Sequence, residues 1–336
     1  MQKWFVQGGP GEKTNGGIYY RQLLPFRHCK QFLQDRGVEV TIGGSFGPDI
    51  SYDAYFFQRT LSLAYLPIII ELKRRGKILV WDMDDDLFTL QLGKEPNLVT
   101  GQKDAQGLEL ANLEMNALEI CLGMADIITT ITPALSEMIH RQEKTLICPN
   151  MIDLDDHLGI PESHTGRVLV TGSDSHREDV MLIKYLYEET KNDWEWIFFG
   201  HGPVWMTDEA TYIPWTQTKD YPRILRLIDP QWILVSLREN KFNESKSAIK
   251  VWEAGMTGAN VVASNWGPYV GHPAAVVQPD EIFERSDLDV RNWAECRKVA
   301  IENSWQFSEG RKAWETLFDY VASAIPDESG LVETAA

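Results

Sequence analysis

The sequence predicts an α/β protein built as two Rossmann-like, doubly wound domains facing each other across a cleft. Three observations carry that prediction. Short β-branched and aromatic runs alternate with segments of helical periodicity, as in a parallel sheet with helices on both faces. The alternation runs once to about residue 150 and restarts at 167. At 336 residues the chain is long enough for two ordinary domains.

Taken in order, residues 3–7 read as a first strand, followed by the glycine-rich loop 8–17. A helix is expected from about Ile18, kinked at Pro25, where the ring removes a donor. Residues 37–43, 53–59 and 77–82 read as the next three strands. A helix over 108–124 then leads to strands at 126–132 and 145–150. The second series has strands at 167–172, 194–199, 232–236 and 261–263. The stretch 153–166 reads as a linker, which gives an N-terminal domain of residues 1–155 and a C-terminal domain of 156–310. Residues 311–336 are expected to form a helix that crosses back to the first domain, and a tail.

Composition excludes several classes. A hydrophobic content of 43% supports packed cores, so disorder is not expected. No run of eighteen apolar residues exists, so no integral membrane segment is expected. The N-terminus lacks the apolar core of a signal peptide, and Cys29, Cys121, Cys148 and Cys296 show no paired spacing. A cytoplasmic protein with reduced thiols is the expectation. Residues 1–150 carry 15 Lys and Arg against 18 Asp and Glu, whereas 151–336 carry 17 against 31, so the second half holds most of the charge of −17. Such a body does not attract nucleic acid over long range. The basic cluster Lys73-Arg74-Arg75 and Lys77 reads as the solvated end of a helix or as a local groove.

Residues 242–269 are the most informative segment. They read as a polar turn, a helix capped by Asn243, a stop at Gly258 and a buried strand at 261–263. Ile249, Trp252 and Met256 recur at helical spacing and are expected to face the sheet. Lys246, Lys250 and Glu253 share one face. Two ammonium groups beside a helix start form an anion site, and a carboxylate one turn on accepts from hydroxyls. That is a way to hold a nucleotide diphosphate and its ribose. The alternative is a solvated face with a Lys250–Glu253 surface pair.

Other loops after strands carry charge. Gly172, His176 and Arg177 follow the first strand of the second domain, and Arg238 follows the strand before the helix. Asp82-Met83-Asp84-Asp85-Asp86 ends the fourth strand. Crowded carboxylates there suit a base or an anchor for an acceptor hydroxyl, with a helix cap or a metal site as alternatives. Trp215, one of twelve tryptophans, is a candidate to stack on the base.

The 242–269 segment resembles the donor-binding helix of GT-B glycosyltransferases, especially family 4, in the spelling Glu253-Ala-Gly-Met-Thr-Gly and in the Asn243-x-Ser245-Lys246-Ser247 turn. Glu253 matches the glutamate that grips the ribose, whereas the earlier glutamate of many members is replaced by Ser245. The resemblance implies that Asn243, Ser245, Lys246, Ser247, Lys250 and Glu253 bind the donor. It implies diphosphate contacts from Arg177 first and His176 second, with Arg238 adding charge. The pair Gly16-Gly17, before Ile18-Tyr19-Tyr20-Arg21, is implied to meet the diphosphate or sugar. Related bacterial and phage transferases carry an Asp-x-Asp-Asp run, which makes Asp84, Asp85 and His176 the catalytic candidates. The implied activity is sugar transfer from a nucleotide sugar, UDP-linked, to a hydroxyl, with retention and without a metal or other cofactor. The expected acceptor is a glycan, or alternatively a hydroxylated base in phage DNA. A nucleotide-sugar epimerase and a non-catalytic nucleotide-sugar-binding subunit stay open beside it.

Overall fold

A computed structural model of the protein describes residues 1–8, 16–43, 49–59, 63–92, 105–157, 166–173 and 176–326. Most of the loop 8–17, the linker residues 158–165 and the tail after 326 lie outside the described residues.

Two six-stranded sheets form, and every strand pair in both is parallel. The first contains β1 (Gln2–Gln7), β2 (Val38–Gly43), β3 (Ala54–Gln58), β4 (Ile78–Met83), β5 (Ile127–Thr130) and β6 (Thr145–Ile147), in the order β2-β1-β3-β4-β5-β6. The second contains β7 (Arg167–Gly172), β8 (Glu195–Gly200), β9 (Thr211–Pro214), β10 (Trp232–Val235), β11 (Asn260–Ser264) and β12 (Ala275–Val277), in the order β12-β11-β10-β7-β8-β9. Two of these strands, β9 and β12, escape the sequence reading. Both are short sheet edges: β9, Thr-Tyr-Ile-Pro, is largely exposed, and β12, Ala-Val-Val, is only three residues long.

The two-residue period of a strand sends alternate side chains to opposite faces. Trp4, Val6, Phe56 and Val80 accordingly bury in one cluster, whereas Phe5, Tyr55, Phe57, Leu79 and Trp81 bury in another. The second sheet divides in the same way, Leu169, Phe199 and Ile233 against Val170, Phe198 and Leu234. Both sheets are therefore covered on both faces, the doubly wound arrangement the alternation predicts.

The Gly310–Ala324 helix buries Trp314, Leu317, Phe318 and Val321 among residues of the first sheet, with Phe318 4.9 Å from Phe26 and 6.0 Å from Trp4. The chain returns there beside Ile152, whose carbonyl accepts from the Trp305 N–H at 2.9 Å. His28 stacks on Trp305 at 5.1 Å, and Gln306 donates to Asp153.

Two local expectations need correction. The irregularity of the first helix begins ahead of Pro25 and not at the ring itself. The helix passes through a π-turn over Tyr19–Leu23 and breaks at Cys29, where φ is −98° and ψ 14°. Widening the turn ahead of the ring accommodates the missing N–H. The stripe Ile249, Trp252 and Met256 also does not simply face its sheet. Val251 and Ala254 pack in the core beneath the sheet, while Met256 joins Ile152 and Ala300, with Ile249 and Trp252 alongside. The Trp293–Glu302 helix supplies that second layer, approaching so closely that a Cβ on Gly255 would lie 2.6 Å from the Cys296 carbonyl.

Candidate active site

The carboxyl ends of the two sheets meet around one cavity of about 500 Å³, the place where open α/β sheets bind ligands. Each sheet contributes one wall.

On the first wall, Gly16 and Gly17 open the helix that follows β1. A Cβ at Gly17 would stand 2.7 Å from Asp84 Oδ2 and 2.5 Å from Gln58 Nε2, so a glycine is required for the carboxylate to sit there. Arg59 follows β3 in the left-handed region, at φ 43°. Its Nε lies 2.8 Å from Asp84 Oδ1, and its Nη1 lies 2.7 Å from Asp85 Oδ2. One strained residue thus sets two carboxylates side by side. Burial raises the Asp84 carboxyl to about 6; Arg59 opposes this, and Asp85 and Asp82 reinforce it. Burial also pushes Asp85 up, but Lys246 and Arg59 outweigh it and hold Asp85 below the usual carboxylate range.

The other acids of the run serve the fold. Asp82, within β4, receives a two-pronged contact from the fully buried Arg21, whose guanidinium stacks 4.7 Å over Trp314. Asp86 accepts from the Thr89 N–H at 3.1 Å and starts the helix after β4.

On the second wall the polar turn is built differently from the sequence reading. Asn240, not Asn243, is the cap: its side chain accepts from the Asn243 N–H at 2.8 Å and opens the short Lys241–Glu244 helix. Asn243 is buried and donates to Asp179 Oδ1 and the Arg238 carbonyl. Ser245 is buried too; its hydroxyl donates to the Phe242 carbonyl, and its own carbonyl accepts from Thr132 Oγ1 at 2.8 Å. These bonds end the first helix, so the second begins only at Ile249, without a side-chain cap, and Lys246 and Ser247 lie in the connection. Neither Asn243 nor Ser245 lines the cavity, whereas Lys246, Ser247, Lys250 and Glu253 do.

Lys246 Nζ stands 3.3 Å from Asp85 Oδ1 and 4.0 Å from the Phe242 ring centre. Ser247 Oγ accepts from Asn150 Nδ2 at 3.0 Å. Glu253 accepts from the hydroxyl of Tyr20, a residue of the first wall. Burial pushes Glu253 up to about 7 against the lowering pull of Tyr20 and Lys250. Burial and the neighbouring Lys246 push Lys250 down to about 7.

The loop after β7 also departs from expectation. His176 is buried at the cavity, but Arg177 is exposed and does not line it. The turn faces the imidazole inward, with Nδ1 2.7 Å from Asp179 Oδ2, and the next residue faces solvent. Burial, then Lys250 and Lys246, depress His176 to about 3, so it is a neutral ring. With Asp179 accepting from Nδ1–H, Nε2 of the neutral ring is left as an acceptor. Arg238 is likewise turned away, its Nη1 3.7 Å from Glu178. An aromatic bank completes this wall: Trp215 and Tyr221 line the cavity 5.8 Å apart, and Phe199 packs against them at 5.6 Å and 5.3 Å.

Arg59 and the Tyr20–Glu253 contact were missed by the sequence reading. Arg59 ends a run correctly read as a strand, so the rule that ligand groups follow parallel strands would have found it. Among the described residues no group of three or more His, Cys, Asp or Glu side chains is arranged to hold a metal ion.

No family model and no curated protein matches the sequence. Solved structures do match the fold. HepE of Anabaena in complex with UDP-glucose aligns with a TM-score of 0.61 at 13% identity, over 96% of this chain and 100% of that one. AviGT4, a glycosyltransferase involved in avilamycin A biosynthesis, aligns with a TM-score of 0.56 at 12% identity, over 97% and 98%. Arabidopsis thaliana UGT89C1 complexed with UDP-L-rhamnose gives 0.50 at 10% identity, over 95% and 99%. At such identities the likeness defines the fold: this chain has the two-domain GT-B architecture.

Proposed function

We propose that the protein is a glycosyltransferase that moves a sugar from a nucleotide sugar, UDP-linked, to a hydroxyl acceptor. The observation that carries this reading is the convergence of Lys246, Lys250 and Glu253 on one wall with Asp84 and Asp85 on the other, around one cavity. Lys246 and Lys250 stabilise the charge that develops on the leaving diphosphate, the term that usually dominates such catalysis. Glu253 accepts from the ribose hydroxyls, and Trp215 stacks on the base. Asp84, raised toward neutrality, anchors the acceptor hydroxyl or receives its proton. UDP-sugars bound to HepE and UGT89C1, which share the fold, support the choice of nucleotide.

The two ammonium groups supply the positive charge that the diphosphate needs, so the reading calls for no metal. Retention of the anomeric configuration follows the family 4 resemblance. A glycan is favoured as acceptor over DNA by a specific observation. Lys73, Arg74, Arg75 and Lys77, the basic cluster of the first half, are all engaged in ion pairs with Asp126, Glu71 and Asp53. The rest of the chain is strongly acidic.

A thermal-shift panel of UDP, GDP and ADP, with and without chelator, tests the reading, followed by a UDP-release assay on glycan acceptors. Stabilisation by UDP that survives chelator, with acceptor-dependent release, is the expected result. No shift with any nucleotide would overturn the function.

A further inference from the structure

Two of the three residues assigned to the donor, Lys246 and Glu253, are already bonded to the opposite wall. Lys246 Nζ is 3.3 Å from Asp85 Oδ1, and Glu253 accepts from Tyr20. Tyr20 and Glu253 are both buried, with 8% and 5% of their surface exposed, so neither group reaches another partner by turning into solvent. A diphosphate needs the ammonium that Asp85 holds, and a ribose needs the carboxylate oxygens to which Tyr20 donates. These partners come from separate loops of the first wall, the helix after β1 and the turn after β4.

We propose that Tyr20 and Asp85 are competitors of the donor: they hold its anchors in contacts across the cleft that nucleotide binding must exchange, and so they set donor affinity. This rests on the function proposed above. Arg59 makes the exchange feasible. Asp85 carries a cation on each oxygen, Arg59 on Oδ2 at 2.7 Å and Lys246 on Oδ1. When a phosphate draws Lys246 away, Arg59 still compensates the buried carboxylate. The Tyr20 hydroxyl has no second hydrogen-bond partner among the described residues, but it lines the cavity, where ligand hydroxyls replace Glu253.

The consequence is opposite to that of ordinary site residues. Removing a competitor tightens binding, whereas a residue that merely shapes the site loosens it when altered. Calorimetric titration of the full chain with UDP at about pH 8, where Glu253 is ionised, compares the wild type with Tyr20→Phe, Asp85→Asn and Glu253→Ala. Tyr20→Phe and Asp85→Asn are each expected to bind UDP about three- to tenfold more tightly, the scale of one hydrogen bond that no longer has to be broken. Melting curves establish that each variant folds. Folded Tyr20→Phe and Asp85→Asn proteins that bind UDP no better than wild type, while Glu253→Ala weakens it, would overturn the competition and leave the function standing. A wild type that does not bind UDP would overturn the function itself and the competition with it; a Glu253→Ala variant that binds it equally well would overturn the ribose role of Glu253 and the competition at Tyr20.

Discussion

At the scale of single residues, the candidate site is a set of charges whose burial has been used to bring opposite groups to neutrality. Glu253 is raised to about 7 and Lys250 is lowered to about 7, burial being the main cause in both. The consequence for binding has a definite sign. A diphosphate favours protonated Lys250, so above about pH 7 binding must take up a proton and affinity falls as pH rises. Ribose hydroxyls favour ionised Glu253, so below about pH 7 binding must release a proton and affinity falls as pH drops. Affinity for UDP-glucose, whose phosphates do not titrate in this range, is therefore expected to peak near neutrality. Lys250→Gln should flatten the alkaline limb and Glu253→Gln the acid limb; profiles unchanged by either variant would contradict the assignment. Lys250 and Glu253 were legible as cavity residues because a helical period aligns them, whereas Lys246 reaches the cavity from the connection ahead of that helix. Arg177 and Arg238 were misread, because charge and loop position do not reveal which neighbour of a turn faces inward. Tyr20 was quoted as part of a pattern but given no role, since its partner lies 233 positions away.

At the scale of elements, the polar turn before the Ile249–Gly255 helix shows where pattern reading stops. A polar residue ahead of an apolar period is a cap signal, and Asn243 carries it for this helix. Tertiary structure overrides the signal: Asn243 is drawn to the buried Asp179, the Ile249–Gly255 helix starts without a side-chain cap, and Asn240 caps the short Lys241–Glu244 helix instead. Asn240→Ala is expected to cost about 1 kcal/mol, the usual worth of such a cap, measured as a shift of the chemical-denaturation midpoint. An equal loss in Asn243→Ala would not separate the roles, because that change strips partners from Asp179. No measurable loss in Asn240→Ala would contradict the capping assignment. The strands were largely legible because buried parallel strands are continuous apolar runs. Edge strands β9 and β12 were not, since β9 is largely exposed and the apolar run of β12 is only three residues long.

At the scale of the whole molecule, two sheets are tied together by a chain that crosses between them and returns. The Gly310–Ala324 helix closes the first sheet's core around Phe318, which is fully buried. Phe318→Ala should destabilise the protein by about 3–5 kcal/mol, as for other large core truncations, read from denaturant unfolding; a loss below about 1 kcal/mol would show that the helix is not part of that core. The cleft matters because it sets Asp84 and Asp85 opposite Lys246 and Glu253, residues of different sheets that no local sequence pattern relates. The most direct test of that arrangement as a nucleotide-sugar site is calorimetric titration of UDP into the wild-type protein and into Glu253→Ala. The account predicts a single site in the wild type, weakened in the variant by about 1.5–3 kcal/mol through the lost charged hydrogen bonds. Equal affinity in the two proteins, or no binding to either, would contradict it.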